Sequence, residues 1–282
     1  MYDFRIGVMI DSFRKNHAEA MKLASDIGAD GIQVYVANGE MSPESMTREK
    51  IQEYKTLVRD NGLVISALCG DLGKGFSHKE LNPVLIARSK RIIELAKEMG
   101  TNIVTTHIGV VPEDKESDKY KIMQSACAEL AAYADLLGSH FAIETGPEPA
   151  ERLRNFLDSL GSRGVAVNLD PANLTMVTGD DAVKAVYTLR DYIVHTHAKD
   201  GRMLQHVDPL IVYGEAPAGT PRPVGRTYAE LPLGKGDVDF PAYLKALDEI
   251  GYRGFLTIER EVGDDPASDI GSAVAFLREL MK

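Results

Sequence analysis

Eight short apolar runs, most of them rich in β-branched residues, alternate along the chain with eight longer segments of helical periodicity. The runs are Phe4–Ile10, Gly31–Val36, Leu63–Cys69, Asn102–Ile108, His140–Thr145, Val165–Asp170, Tyr192–His197 and Gly254–Glu259. Continuous apolar stretches of this length suit parallel strands buried on both faces. The intervening segments are Ala18–Ile27, Pro43–Asn61, Pro83–Met99, Lys119–Leu137, Ala150–Leu160, Asp181–Leu189, Phe240–Ile250 and Ala267–Leu280. Each repeats apolar residues at three- and four-residue steps. Gly28, Gly62, Gly100, Gly138, Gly161 and Gly251 stand where C-caps belong, and Ser42-Pro43 and Asp239 read as helix starts. Strict βα repetition implies a parallel sheet, and eight units suit closure. The expected fold is therefore α/β, a single (β/α)8 (TIM) barrel over residues 1–282, an ordinary length for one such barrel. An open dinucleotide-binding sheet fits less well. Gly7-Val8-Met9-Ile10-Asp11 stands where a G-x-G-x-x-G turn would follow the first strand.

One stretch breaks the rhythm. About forty residues rich in Pro and Gly separate His197 from Asp239. Because this loop follows the seventh strand, residues 200–238 are expected to lie over the C-terminal mouth, where barrel active sites form. A surface excursion or an oligomer contact is the alternative. The formal net charge of −10 argues against attraction to a phosphate backbone, so no nucleic-acid partner is expected. No apolar run approaches the roughly 20 residues that span a bilayer. The N-terminal stretch, with Asp3 and Arg5, reads as a strand rather than a signal peptide, and Cys69 and Cys127 are far apart. A soluble, cytoplasmic protein without a membrane partner is expected; homo-oligomerisation is left open.

The chemistry-bearing residues fall at strand ends. The fifth run ends on Glu144, the sixth on Asp170, the seventh on His197 and the eighth on Glu259. In a barrel these tips converge. Three buried carboxylates facing one another repel and are costly to desolvate, and a divalent cation removes that conflict. Two Glu, one Asp and one His suit Mn²⁺ best, then Mg²⁺ or Co²⁺, with Zn²⁺ less favoured. The competing reading of a strand-end carboxylate is an N-cap, and Asp170 before Pro171 fits one. His195, two residues before His197, should lie deeper on the same side of the strand. Lys199, Asp200 and Arg202 follow the imidazole and should overhang the site. Lys199 then offers an anchor for a sugar hydroxyl or phosphate, or pairs with Asp200. The Gly234-Lys235-Gly236 turn is a further, weak phosphate candidate.

Five segments carry a resemblance. They are Ala142-Ile143-Glu144-Thr145, Leu169-Asp170-Pro171-Ala172-Asn173-Leu174, His195-Thr196-His197-Ala198-Lys199-Asp200, Leu233-Gly234-Lys235-Gly236-Asp237-Val238-Asp239-Phe240 and Thr257-Ile258-Glu259. In type and order they resemble the sugar isomerase/epimerase superfamily, the xylose-isomerase-like barrels. That group includes ketose 3-epimerases, sugar-phosphate epimerases, inosose isomerases and dehydratases, and endonuclease IV. The resemblance implies one divalent metal ion on Glu144, Asp170, His197 and Glu259. It also implies Glu144 and Glu259 as the acid/base pair, which would move a proton through a cis-enediolate of a keto-sugar or sugar phosphate held at the metal. It places His107 against substrate; Asn173, Lys199 and Arg202 complete the expected substrate contacts. An inosose-type dehydratase using the same site is the alternative. An endonuclease IV-like nuclease and a non-catalytic sugar-binding barrel are less favoured. Two departures bear on the sugar. Asn173 stands where the 3-epimerases carry a histidine, and Ala229 and Glu230 stand where many carry an arginine.

Overall fold

Every one of the eight apolar runs forms a strand. The computed structural model describes residues 2–282. The strands β1 (Arg5–Met9), β2 (Gly31–Tyr35), β3 (Val64–Cys69), β4 (Ile103–Thr106), β5 (His140–Glu144), β6 (Val165–Leu169) and β7 (Ile193–Ala198) run parallel. Two further strands, β8 (Asp200–Met203) and β9 (Tyr228–Leu231), pair antiparallel outside the ring, and β10 (Phe255–Ile258) closes it. The ring order is β1-β10-β7-β6-β5-β4-β3-β2. A helix follows each barrel strand: His17–Asp26, Arg48–Asp60, Asn82–Met99, Asp118–Leu136, Ala150–Asp158, Ala182–Leu189, Phe240–Glu249 and Pro266–Leu280. No helix among the described residues is long and apolar enough to cross a membrane.

Local chemistry sets the helix ends. The Asp239 side chain accepts from the Ala242 N–H, as an N-cap should. All six glycines read as helix stops have positive φ, between 59° at Gly138 and 93° at Gly100. One expected start is corrected. The second helix begins at Arg48, because the Ser45 and Met46 amides both close a turn on the Ser42 carbonyl. Thr47, whose side chain accepts from the Lys50 N–H, is the actual cap.

Along β6, Val165, Val167 and Leu169 alternate with Asn168 and Asp170. The apolar set belongs to the hydrophobic core, while the polar set joins the hydrogen bonds of the barrel interior. Gln33, Thr105, His195 and Thr257, all buried, hydrogen-bond with one another or with Asn168. Two register shifts interrupt the parallel pairing, one at Ile32/Gln33 and one at Val167/Asn168. Such irregularities re-aim side chains, and here they fall on the two amides that touch His197.

The long segment after β7 has more structure than its composition suggests. Besides β8 and β9 it contains a helical turn, Pro209–Val212. The Asp200 carboxylate accepts from the N–H groups of Gly201, Gly234, Gly236 and Val238 and so ties both ends of the excursion together.

Candidate metal centre and mouth cavity

Glu144, Asp170, His197 and Glu259 each offer one ligand atom, and these atoms all lie within 4.8 Å of one another. His197 Nδ1 is the common neighbour, 3.3 Å from Asp170, 3.5 Å from Glu259 and 3.6 Å from Glu144. Burial alone would keep the imidazole neutral, yet the charges of Glu144 and Glu259 hold its pKa well above the ordinary value. The cluster therefore demands positive charge at this point, from a proton or from a cation. A buried group of this composition could bind a divalent metal ion.

The surrounding bonds fit that role. With Nδ1 free to face a cation, Nε2 carries the proton, and the Gln33 Oε1 lies 3.1 Å away to accept it. Gln33 is itself fixed because its Nε2 donates to Thr105 Oγ1 at 2.8 Å. The Asn168 amide donates to Glu144 Oε2 at 3.0 Å, and its oxygen lies 2.9 Å from His195 Nδ1. His195 Nε2 is 3.0 Å from the Thr257 hydroxyl. Burial, reinforced by His197, lowers the His195 pKa well below the ordinary value, so that ring is neutral and passes one donor to Asn168. Gly7 leaves room for this chain, since a Cβ there would lie 2.6 Å from Thr257 Oγ1. Thr145 Oγ1 accepts from the Asp170 N–H and donates to the Asp170 carbonyl. Asp170 Oδ1 accepts from the Asn173 N–H, so Asp170 is also the N-cap that the Asp-Pro pair suggests.

Above the cluster opens a cavity of about 540 Å³, lined among others by Tyr35, Asp71, His107, Glu144, Asn173, Lys199, Tyr213 and Glu259. His107 enters from the end of β4. Its Nδ1 is 3.1 Å from Asp71 and its Nε2 3.6 Å from Glu144. Burial opposes protonation of this ring, but Glu144, Asp71 and Glu259 together hold its pKa up at about 9. Asn173 donates to Glu144 Oε1 at 3.0 Å. Lys199 is 4% exposed and bonds to Glu259 at 2.9 Å and to Glu261 at 2.5 Å.

Three expectations need correction here. Lys199 does not pair with Asp200, whose carboxylate is taken by four backbone amides. The same bonds occupy the Gly234-Lys235-Gly236 turn, so its amides are not free for a phosphate. Arg202 is half exposed, sits on Asp237 and does not line the cavity, because β8 turns its side chain away from the mouth. Glu230, at one of the two positions where the resemblance expects an arginine, has a side chain only 4% exposed and receives Arg260 at 2.6 Å.

Sequence reasoning singled out the ligand cluster, His107, Asn173 and Lys199, all of which the fold brings to one mouth. It missed Gln33, Asn168, Asp71 and Tyr213. A polar residue inside an apolar run, as at Gln33 and Asn168, was the available signal. Asp71 and Tyr213 lie beyond strand ends and carry none.

The fold and the acidic, imidazole-bearing mouth define a (β/α)8 barrel with a candidate site for one divalent cation. The sequence model of the family described as xylose isomerase-like TIM barrel matches residues 21–280, and the chain belongs to that family. An uncharacterized protein of Methanocaldococcus jannaschii is 22% identical over 211 residues, which is 71% of this chain and 64% of that protein. Among solved structures, a xylose isomerase domain protein from Planctomyces limnophilus superposes with a TM-score of 0.78 at 27% identity, over 99% of this chain and 96% of that one. A probable 3-DHS dehydratase from Bacillus anthracis gives 0.75 at 19% identity over 98% and 99% of the two chains. A D-tagatose 3-epimerase-like protein gives 0.74 at 18% identity over 98% of each. These last two similarities are similarities of fold.

Proposed function

We propose that the protein is a metal-dependent isomerase or epimerase acting on an unphosphorylated keto-sugar. The observation that carries the reading is the convergence of Glu144, Asp170, His197 and Glu259 beneath an open polar cavity. A divalent cation there, Mn²⁺ by donor preference, would supply the positive charge that makes the C–H beside a carbonyl acidic. Glu144 and Glu259 reach the cluster from different strands, β5 and the end of β10, and supply a proton acceptor and a proton donor. Lys199, 2.9 Å away, holds the Glu259 carboxyl below the ordinary carboxylate range despite burial, so that it is ionised and free to receive a cation or a proton.

The mouth's cations favour a neutral sugar. His107 faces Asp71 and Glu144, Lys199 is committed to Glu259 and Glu261, Arg260 to Glu230 and Asp269, and Arg14 to the carbonyls of Glu261 and Gly263. A phosphate would have to displace one of these pairs. One observation supports a second reading, dehydration of a β-hydroxy ketone. In that reading His107, which lies 3.1 Å from Asp71 and 3.6 Å from Glu144, would give a proton to the departing hydroxyl.

Metal analysis of the purified protein, followed by incubation with free ketoses and their phosphates in D₂O, tests the reading. Deuterium at one carbon of a recovered ketose is the expected result. Loss of water from the substrate would establish the dehydratase instead, and the absence of any bound or activating divalent metal overturns both. Glu144→Gln and Glu259→Gln should each lower turnover about 100- to 10,000-fold.

A further inference from the structure

The excursion between β8 and β9 does more than cross the mouth. Its segment Asp208–Glu215 is fastened to the loop after β4 by one carboxylate. Glu215 Oε1 accepts from the Val110 N–H at 2.9 Å, and Oε2 bonds to Lys119 at 2.5 Å. Gly109 lets this approach occur: its φ is +90°, and a Cβ would lie 2.5 Å from Glu215 Oε1. Two residues before Glu215, Tyr213 projects into the cavity with its ring 5.8 Å from that of His107. Its hydroxyl lies over the loop after β5, where Gly146 has a φ of +139° and a Cβ would meet the hydroxyl at 2.7 Å. Thus the segment packs against positive-φ glycines in two separate mouth loops, Gly146 being confined by Asn173 as well as by Tyr213. Burial and the charges of Glu144, Asp170 and Glu148 keep the Tyr213 hydroxyl protonated, a donor facing a site lined with acceptors.

We infer that Asp208–Glu215 is a cover latched by Glu215, and that Tyr213 on it donates a hydrogen bond to a hydroxyl or carbonyl oxygen of the bound sugar beside Glu144. The inference rests on the sugar-isomerase reading for the identity of the ligand, while the latch stands on geometry alone. A phenol suits a polyol because the hydroxyl gives direction and the ring excludes water on the side away from the metal ligands. Tyr213 is thereby a specificity-determining contact contributed by a loop that the barrel does not need for closure.

Two variants separate the parts. Glu215→Ala should accelerate amide hydrogen exchange of Val110 at least tenfold, because that N–H loses its acceptor, whereas Glu215→Gln, which retains an acceptor oxygen, should keep most of the protection. Unchanged exchange in Glu215→Ala overturns the latch. Tyr213→Phe should raise the KM for the ketose found active about 3- to 10-fold, the loss of one neutral hydrogen bond, with kcat moving less than twofold and metal content unchanged. A wild-type KM in Tyr213→Phe overturns the contact. If wild-type protein exchanges no carbon-bound hydrogen of any ketose, the functional reading fails and the sugar contact falls with it, while Val110 exchange still decides the latch.

Discussion

Gln33 and Asn168 show how much of the centre is built by residues that are not candidate ligands. Each is an uncharged amide within 3.2 Å of His197 Nε2, and Asn168 also holds Glu144. Gln33→Leu removes the acceptor for the Nε2 proton. Titration with Mn²⁺ should show metal affinity reduced about 10- to 100-fold, with the four candidate ligands intact. Unchanged affinity would mean that the imidazole is oriented by the barrel walls alone. Glu148 gives a second prediction at this scale. It is 1% exposed, accepts from the Val111 N–H, and burial pushes its pKa up to about 8. A carboxyl with a raised folded pKa is most stabilising below its unfolded value of about 4.5; between there and about 8 the unfolded chain releases the proton first. Stability should therefore fall as pH rises through that window. Glu148→Gln, which imitates the protonated form, should flatten the fall when denaturation midpoints at pH 5 and pH 8 are compared.

Among the elements, the excursion after β7 departs furthest from expectation. Pro and Gly content predicts irregular chain, and the helical periodicity that finds all eight helices has nothing to act on there. The two short strands β8 and β9 exist because Asp200 gathers four amides from residues about 35 positions apart in the chain. Such a carboxylate cannot be told from a surface charge by its sequence neighbours. Asp200→Ala would leave those amides without their acceptor and should cost about 2 kcal/mol or more in chemical denaturation. The misplaced start of the second helix has a similar origin. Ser42-Pro43 satisfies the local rule for a cap, but its backbone closes a turn instead, and Thr47 takes the role.

For the whole molecule, three carboxylates drawn to one point carry a repulsion that the folded chain must offset. A divalent ion bound only by the folded state should raise stability by about 2.7 kcal/mol at a concentration 100 times its Kd. Removing divalent metal with a chelator should lower the Tm measurably, and Mn²⁺ should restore it; no shift in either direction would argue against a resident cation. The barrel itself was legible in the sequence because βα alternation and capping are local, short-range signals. The cluster of Glu144, Asp170, His197 and Glu259 was legible for a related reason: in a closed parallel ring, residues at the C-terminal tips of neighbouring strands must converge. Which amide supports His197, which cation is already neutralised, and which loop residue faces the cavity were decided only by tertiary structure. Those facts depend on contacts between residues such as Gln33 and His197, or Val110 and Glu215, more than a hundred positions apart. No periodicity or cap connects such positions, so closure of the barrel and the path of its longest loop had to bring them together.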